Sequence, residues 1–180
     1  MTFIGSYLTI SMGEYFIVVD ENDRIIGKAL RSECHSNPKL IHRGIYAIPV
    51  NSRGQILLQK RSMNKDTNPG RWEIVGGHNK PGETYEKAAI REIKEELGVK
   101  VGVRKIGKMR FKSRRESEID EIFLCRIQDA TKIKFNKKEI SSVKFYEPKE
   151  VLKMVRTKRR SFSSWAAFVL EKHAGKIKTT

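Results

Sequence analysis

Between Thr84 and Leu97 the apolar side chains stop recurring at every second position and fall instead at helical spacing, and this switch divides the chain. Ile90, Ile93 and Leu97 share one helix face, and Gly98 stands where a helix end takes a left-handed residue. Upstream, Tyr15–Val19 and Arg24–Gly27 flank the turn cluster Asp20-Glu21-Asn22-Asp23. Ile45–Val50 and Ile56–Lys60 flank Asn51-Ser52-Arg53-Gly54, so two hairpins are expected. After a polar loop from Met63 to Arg71, Trp72–Val75 reads as a short strand running into Gly76-Gly77. Downstream, strands are expected around Val101–Phe111, Glu121–Ile127 and Val143–Tyr146, followed by helices at Lys149–Val155 and Ser163–His173. The pattern predicts an α/β domain in which a mixed sheet is covered by helices on both sides.

A length of 180 residues suits one domain, expected over 13–175, with residues 1–12 as a flexible extension. Hydrophobic residues make up 38% and charged residues 32%, which excludes collagen-like and fully disordered chains. No apolar run reaches the roughly 18–20 residues of a membrane helix, and the first residues lack the basic start of a secretory signal. Two cysteines, Cys34 and Cys125, without CxxC spacing, fit a reduced, cytoplasmic protein. The net charge of +16 is uneven. Residues 1–98 carry +2 and residues 99–180 carry +14. Such a surplus attracts polyanions, whether nucleotides, phosphorylated metabolites or nucleic acid; a merely soluble, lysine-rich surface is the plainer reading.

Chemistry concentrates around the helix. Glu92, Glu95 and Glu96 stand at i, i+3 and i+4, away from the apolar face, and like charges at that spacing cost about 0.2–0.5 kcal/mol per pair. Arg91 and Lys94 screen part of the repulsion. A divalent cation would do more, and an all-oxygen donor set suits Mg²⁺ or Mn²⁺ shared with substrate phosphates. The glycine-rich stretch from Gly77 to Gly82 lets backbone approach the cluster closely. Together these features point to metal-assisted attack of water on a phosphoanhydride.

The spacing is specific: Gly77, five residues, Glu83, seven residues, Arg91-Glu92-Ile93, one residue, Glu95-Glu96, one residue, Gly98-Val99. Seven identities at set offsets arise by chance on the order of once in 10⁹ windows. The stretch resembles the Nudix box of Nudix hydrolases. The resemblance implies an α/β/α sandwich with the box as a loop–helix–loop, and Glu92, Glu95 and Glu96 as Mg²⁺ ligands, with Mn²⁺ as a substitute. It also implies that Arg91 orients a box glutamate and that Glu83 supports the loop. A box glutamate, or one on a later strand, would be the general base. Glu121 is the candidate there, both as an extra ligand and as a base.

Residues 14–170 are similar more specifically to the isopentenyl-diphosphate-isomerase-like branch. The similarity rests on Val18–Asp23, His35, His42, Pro69-Gly70-Arg71-Trp72 and Gly77-His78. Those isomerases use a metal site of three histidines and two glutamates. His35, His42 and His78 match the histidines, Glu121 matches one glutamate, and the other falls at Ile119. The isomerase cysteine would stand at Gly76, so the acid/base pair that isomerisation needs is incomplete.

The resemblance therefore implies a hydrolase of nucleoside diphosphate derivatives on an isomerase-like scaffold. Isomerase activity and a basic nucleic-acid-binding module are the alternatives. Lys60, Arg61, Trp72 and Gly77 are the candidate substrate contacts, Trp72 by stacking on a base or, alternatively, by packing the core.

Overall fold

The computed structural model describes residues 13–65 and 67–177, so the expected extension over 1–12 lies outside the described residues. Among the described residues nine strands and four helices follow in the order β1 (Tyr15–Val19), β2 (Ile25–Leu30), α1 (Arg31–Cys34), β3 (Ile41–Val50), β4 (Ile56–Arg61), β5 (Trp72–Glu73), β6 (Val75–His78), α2 (Tyr85–Leu97), β7 (Val103–Lys112), β8 (Ser117–Arg126), β9 (Ile140–Tyr146), α3 (Pro148–Thr157) and α4 (Ser164–His173). No helix among the described residues is long and apolar enough to cross a membrane.

β3 organises the sheet. One of its edges pairs in parallel with β8 along its whole length, from Ile41 opposite Ser117 to Val50 opposite Arg126. Its other edge is shared in turn by β1, β6 and β4, all antiparallel. β4 also pairs with β5 and β9, and β7 closes the far side against β8. Because strand side chains alternate, every second residue of β3 serves one face. Ile45 and Ala47 meet Ala88, Ala89, Ile93 and Leu97 of α2. Tyr46, Ile48 and Val50 meet Val151, Val155, Ala166 and Leu170 of α3 and α4. The expected mixed sheet with helices on both sides is the observed architecture.

Local differences have clear causes. The expected single strand from Trp72 to Val75 is two strands that change partner at Ile74, β5 joining β4 and β6 joining β3. β8 starts at Ser117, four residues before the sequence pattern does, because its first half carries Glu118 and Asp120 into the interior, where alternation of apolar residues cannot mark them. α1 escapes the pattern because a single turn has no periodicity.

α2 begins where the Thr84 hydroxyl accepts a hydrogen bond from the Lys87 amide and ends at Gly98 with φ 70°. A side chain at Gly98 would meet the Lys134 carbonyl oxygen at 2.7 Å as well as adopting the left-handed conformation. Gly98→Ala is expected to lower stability by roughly 1–3 kcal/mol, read as a shift in the urea unfolding midpoint at unchanged slope.

Candidate active site

The Arg91 guanidinium joins the box loop to the box helix. Its Nε and Nη2 donate to the two oxygens of Glu83 at 2.7 and 2.9 Å, Nη2 also donates to the His78 carbonyl at 2.9 Å, and Nη1 reaches Glu92 at 2.7 Å and Glu95 at 3.2 Å. The Lys80 amide donates to Glu83 at 3.0 Å. Burial alone would push the Glu83 carboxyl up, but Arg91 and Lys80 hold it below its ordinary value. The same pairing, led by Glu83, holds Arg91 charged.

Glu92 lies flat over β6, and Gly77 makes room for it. A Cβ at position 77 would stand 2.2 Å from the Glu92 carboxyl carbon. Burial raises Glu92 above the usual carboxylate range despite Arg91. Glu96 is deeper still, and burial pushes it far up; its side-chain partner is Gln59, whose Nε2 donates at 2.5 Å. Glu95 is half exposed. Glu73 and Glu139 stand close enough to Glu96 to raise it further. Neither follows from the box spacing, since they arrive from β5 and from the turn before β9. Glu73 pairs with Arg61 at 2.5 Å, and Glu139 with Lys65 at 3.0 Å.

These carboxylates outnumber the cations within reach, and such an arrangement can hold a divalent ion through oxygen donors. The buried Glu96 oxygens, with one amide as partner, are where that need is greatest. The donor set fits Mg²⁺ or Mn²⁺.

The other expected residues distribute as follows. Arg61 is occupied by Glu73 and by the Thr67 carbonyl at 2.9 Å. Lys60 lies 5.8 Å over the Trp72 ring, and Trp72 packs edge-on against Tyr146 and the α3–α4 core. Glu121 stands on the α2 side of the sheet, where it shares a cavity with the box residues Gly82, Glu83 and Thr84. It pairs with Lys105 at 2.5 Å, and the cavity, of about 430 Å³, is lined by Asp23, Arg43 and Tyr85 as well.

The opposite face of the same strands carries a second constellation. One ligand atom from each of His35, His42, His78 and Glu118 lies within 4.8 Å of the others. His35 follows α1, His42 is in β3, His78 ends β6, and Glu118 stands opposite His42 in β8. His35 and His78 approach at 3.4 Å between their Nε2 atoms, Glu118 lies 3.6 Å from His42 and 3.9 Å from His78, and Glu116 stands 3.7 Å from His35. The Phe16 ring stacks on His78 at 4.1 Å.

The glutamates at the histidines are thus Glu116 and Glu118, not Glu121 and position 119. β8 pairs with β3 so that even-numbered residues face His42, and Glu121 points to the other face. Both ring nitrogens of the fully buried His42 lack a hydrogen-bond partner among the described residues. Burial, then the neighbouring imidazoles, depresses His35 to about 4. Imidazoles converging with a carboxylate fit a transition ion such as Zn²⁺ or Mn²⁺.

Gly76 lies beside this constellation, opposite Tyr46, whose ring fills the space. A Cβ there would meet Tyr46 at 2.8 Å. Asp120, over Gly44, is fully buried with neither oxygen hydrogen-bonded among the described residues, and burial followed by the charge of Glu118 pushes it well up.

A family model described as the NUDIX domain matches residues 40–166. An isopentenyl-diphosphate Delta-isomerase of Nocardia farcinica is 30% identical over 86% of this chain and 91% of its own length. The uncharacterized Nudix hydrolase PA4841 of Pseudomonas aeruginosa is 33% identical over 82% of this chain and 86% of its own. The crystal structure of DR0079 from Deinococcus radiodurans superposes with a TM-score of 0.73 at 25% identity, covering 89% of this chain and 99% of that one.

Arg91→Met would leave Glu83 and Glu92 without their counter-charge, with an expected loss of roughly 2–4 kcal/mol at pH 7. The Glu83 carboxyl is held low, so its pairing stabilises the fold above its ordinary value of 4.5 and ceases to as pH falls below it. The gap between variant and parent should therefore narrow in urea unfolding at acidic pH.

Proposed function

The chain belongs to the Nudix family, and on that premise we propose that it is a Mg²⁺-dependent hydrolase of a phosphoanhydride bond in a nucleoside diphosphate derivative. The observation that carries this reading is the acidic cluster of Glu92, Glu95 and Glu96, clamped by Arg91 and short of positive charge. In it, Glu92, Glu95 and Glu96 would hold the ion. A bound divalent ion polarises phosphoryl oxygens and lowers the pKa of the attacking water.

The chain's own groups do the rest. Arg91 fixes the directions of Glu92 and Glu95 while its two bonds to Glu83 lock the loop. Gln59 holds Glu96 by one oxygen and leaves the other available. Proton acceptance from water falls to a carboxylate of this cluster, with Glu73 and Glu139 beside Glu96 as further acceptors.

Glu96→Gln keeps the shape and removes one charge from a crowded buried site. Turnover of the best substrate in a panel of nucleoside diphosphate derivatives, assayed with Mg²⁺ and Mn²⁺, should fall by about 10²–10⁴, while the melting temperature stays level or rises. Unchanged turnover would remove the reading.

The histidine constellation supports a second reading, isomerase-like activity, since three histidines converge with Glu118, and Glu116 stands 3.7 Å from His35. Against it stands Gly76, which offers no thiol and faces the Tyr46 ring. Incubation with isopentenyl diphosphate and Mg²⁺ is expected to give no dimethylallyl diphosphate; its formation would reverse the order of the two readings. Zn²⁺ or Mn²⁺ retained at one equivalent by the parent, and lost in His42→Gln, is the expected metal analysis for the histidines.

A further inference from the structure

The basic half of the chain builds a cavity at the opposite end of β8 from the histidines. It measures about 700 Å³ and lies between β7, the end of β8 and the end of α4. Arg104, Arg126 and Lys176 line it, all exposed and, among the described residues, without an acidic partner or hydrogen bond. Lys105 and Lys108 line it as well, with their ammonium groups taken up by Glu121 and Asp23. Among the described residues no carboxylate lines it.

The concavity has a structural origin. The pairing of β7 with β8 shifts register between Lys105 and Gly107, a bulge that bends the edge strand. At Gly107 the His173 ring of α4 lies so close that a Cβ would meet it at 2.7 Å, so the absent side chain lets α4 end against the strand. Ile106, Leu124 and Ile177 supply apolar wall.

We propose that this cavity binds a phosphorylated small molecule of nucleotide size, at a site separate from the catalytic centre. Two guanidinium groups and an ammonium without counter-charge match the oxygens of a phosphate chain, and arginine offers them paired donors. The apolar wall takes the organic part, and the volume lies within the roughly 300–1,000 Å³ of small-molecule pockets. Separation from the histidine constellation follows from the strand. Glu118 and Leu124 are six residues apart on the same face of β8, about 20 Å at the strand rise. The box glutamates are across the sheet, packed with α2.

Binding is measured by calorimetry on the full chain in EDTA at about 50 mM salt, where no divalent ion bridges phosphates to the box glutamates. Inorganic tripolyphosphate and adenosine diphosphate are the probes. Both should bind, and Arg104→Gln with Arg126→Gln should weaken them by about tenfold or more. Lys149→Gln with Lys153→Gln, an equal charge loss on the exposed face of α3, should leave them unchanged. Melting curves confirm that both double variants fold.

Equal weakening in the two double variants would mean diffuse attraction and overturn the proposal, as would failure of both probes to bind the parent. A single-stranded oligonucleotide forms the third arm. If it binds through Arg104 and Arg126 while the small probes do not, the surface belongs to nucleic acid and the proposal falls. None of these readouts depends on hydrolysis, so the proposal and the catalytic reading fail separately.

Discussion

Everything about the acidic centre depends on one guanidinium. Arg91 touches the loop at Glu83, the helix at Glu92 and Glu95, and the backbone of β6 at His78. Glu92 and Glu96 are both raised by burial, so without a fixed positive group the helix would bring like charges into a low-dielectric space with nothing to hold them apart. A lysine could not replace it, since a single ammonium lacks the planar fork that spans both oxygens of Glu83 and still reaches the helix.

The tripeptide Gly76-Gly77-His78 shows how one short strand serves two faces. Gly77 opens space for Glu92 on the α2 side, whereas Gly76 and His78 face Tyr46 and the histidines on the other. The His78 carbonyl, bonded to Arg91, and the His78 ring, among the histidines, make a covalent connection between the two constellations. β3 has the same double use, with Arg43 and Ile45 on one side and His42, Gly44 and Tyr46 on the other. Substitutions here therefore cannot be read as affecting one site alone.

How much was legible in the sequence follows from the kind of signal each part leaves. The box helix was readable to within one residue because caps and apolar spacing are local: Thr84, Gly98 and the face of Ile93 and Leu97 all agree. The first hairpin was readable for the same reason, and the second only at its turn, since β3 and β4 pair at Val50 and Ile56 alone before taking other partners. The entry of β8 was not, since a strand that buries Glu118 and Asp120 violates the alternation by which a strand is recognised. That lost stretch displaced the expected glutamate by three residues, from Glu118 to Glu121, and so onto the wrong face. Glu73 and Glu139 were invisible for another reason. Their approach to Glu96 is made by the pairing of β4 with β5 and β9, a non-local fact.

The two constellations also differ in what would keep them intact without metal. At the box, Arg91 and Gln59 satisfy part of each carboxylate, so the geometry is held by the protein itself. At the histidines, both nitrogens of His42 and both oxygens of Asp120 are buried and without a hydrogen bond among the described residues, with the Glu118 carboxylate 3.6 Å from His42. Each such group costs about 1–3 kcal/mol when left without a hydrogen bond. Keeping four such atoms on one face carries a penalty, and an ion at the imidazoles would offset the part of it that falls on His42. Asp120 is not among the ligand atoms that converge; burial and the neighbouring Glu118 carboxyl push it up instead. Both sites thus bury polar atoms that the described residues leave without a hydrogen bond, His42 at the histidines and the Gln59 Oε1 beside Glu96 at the box, and what distinguishes the box is the guanidinium that already holds two of its carboxylates in place.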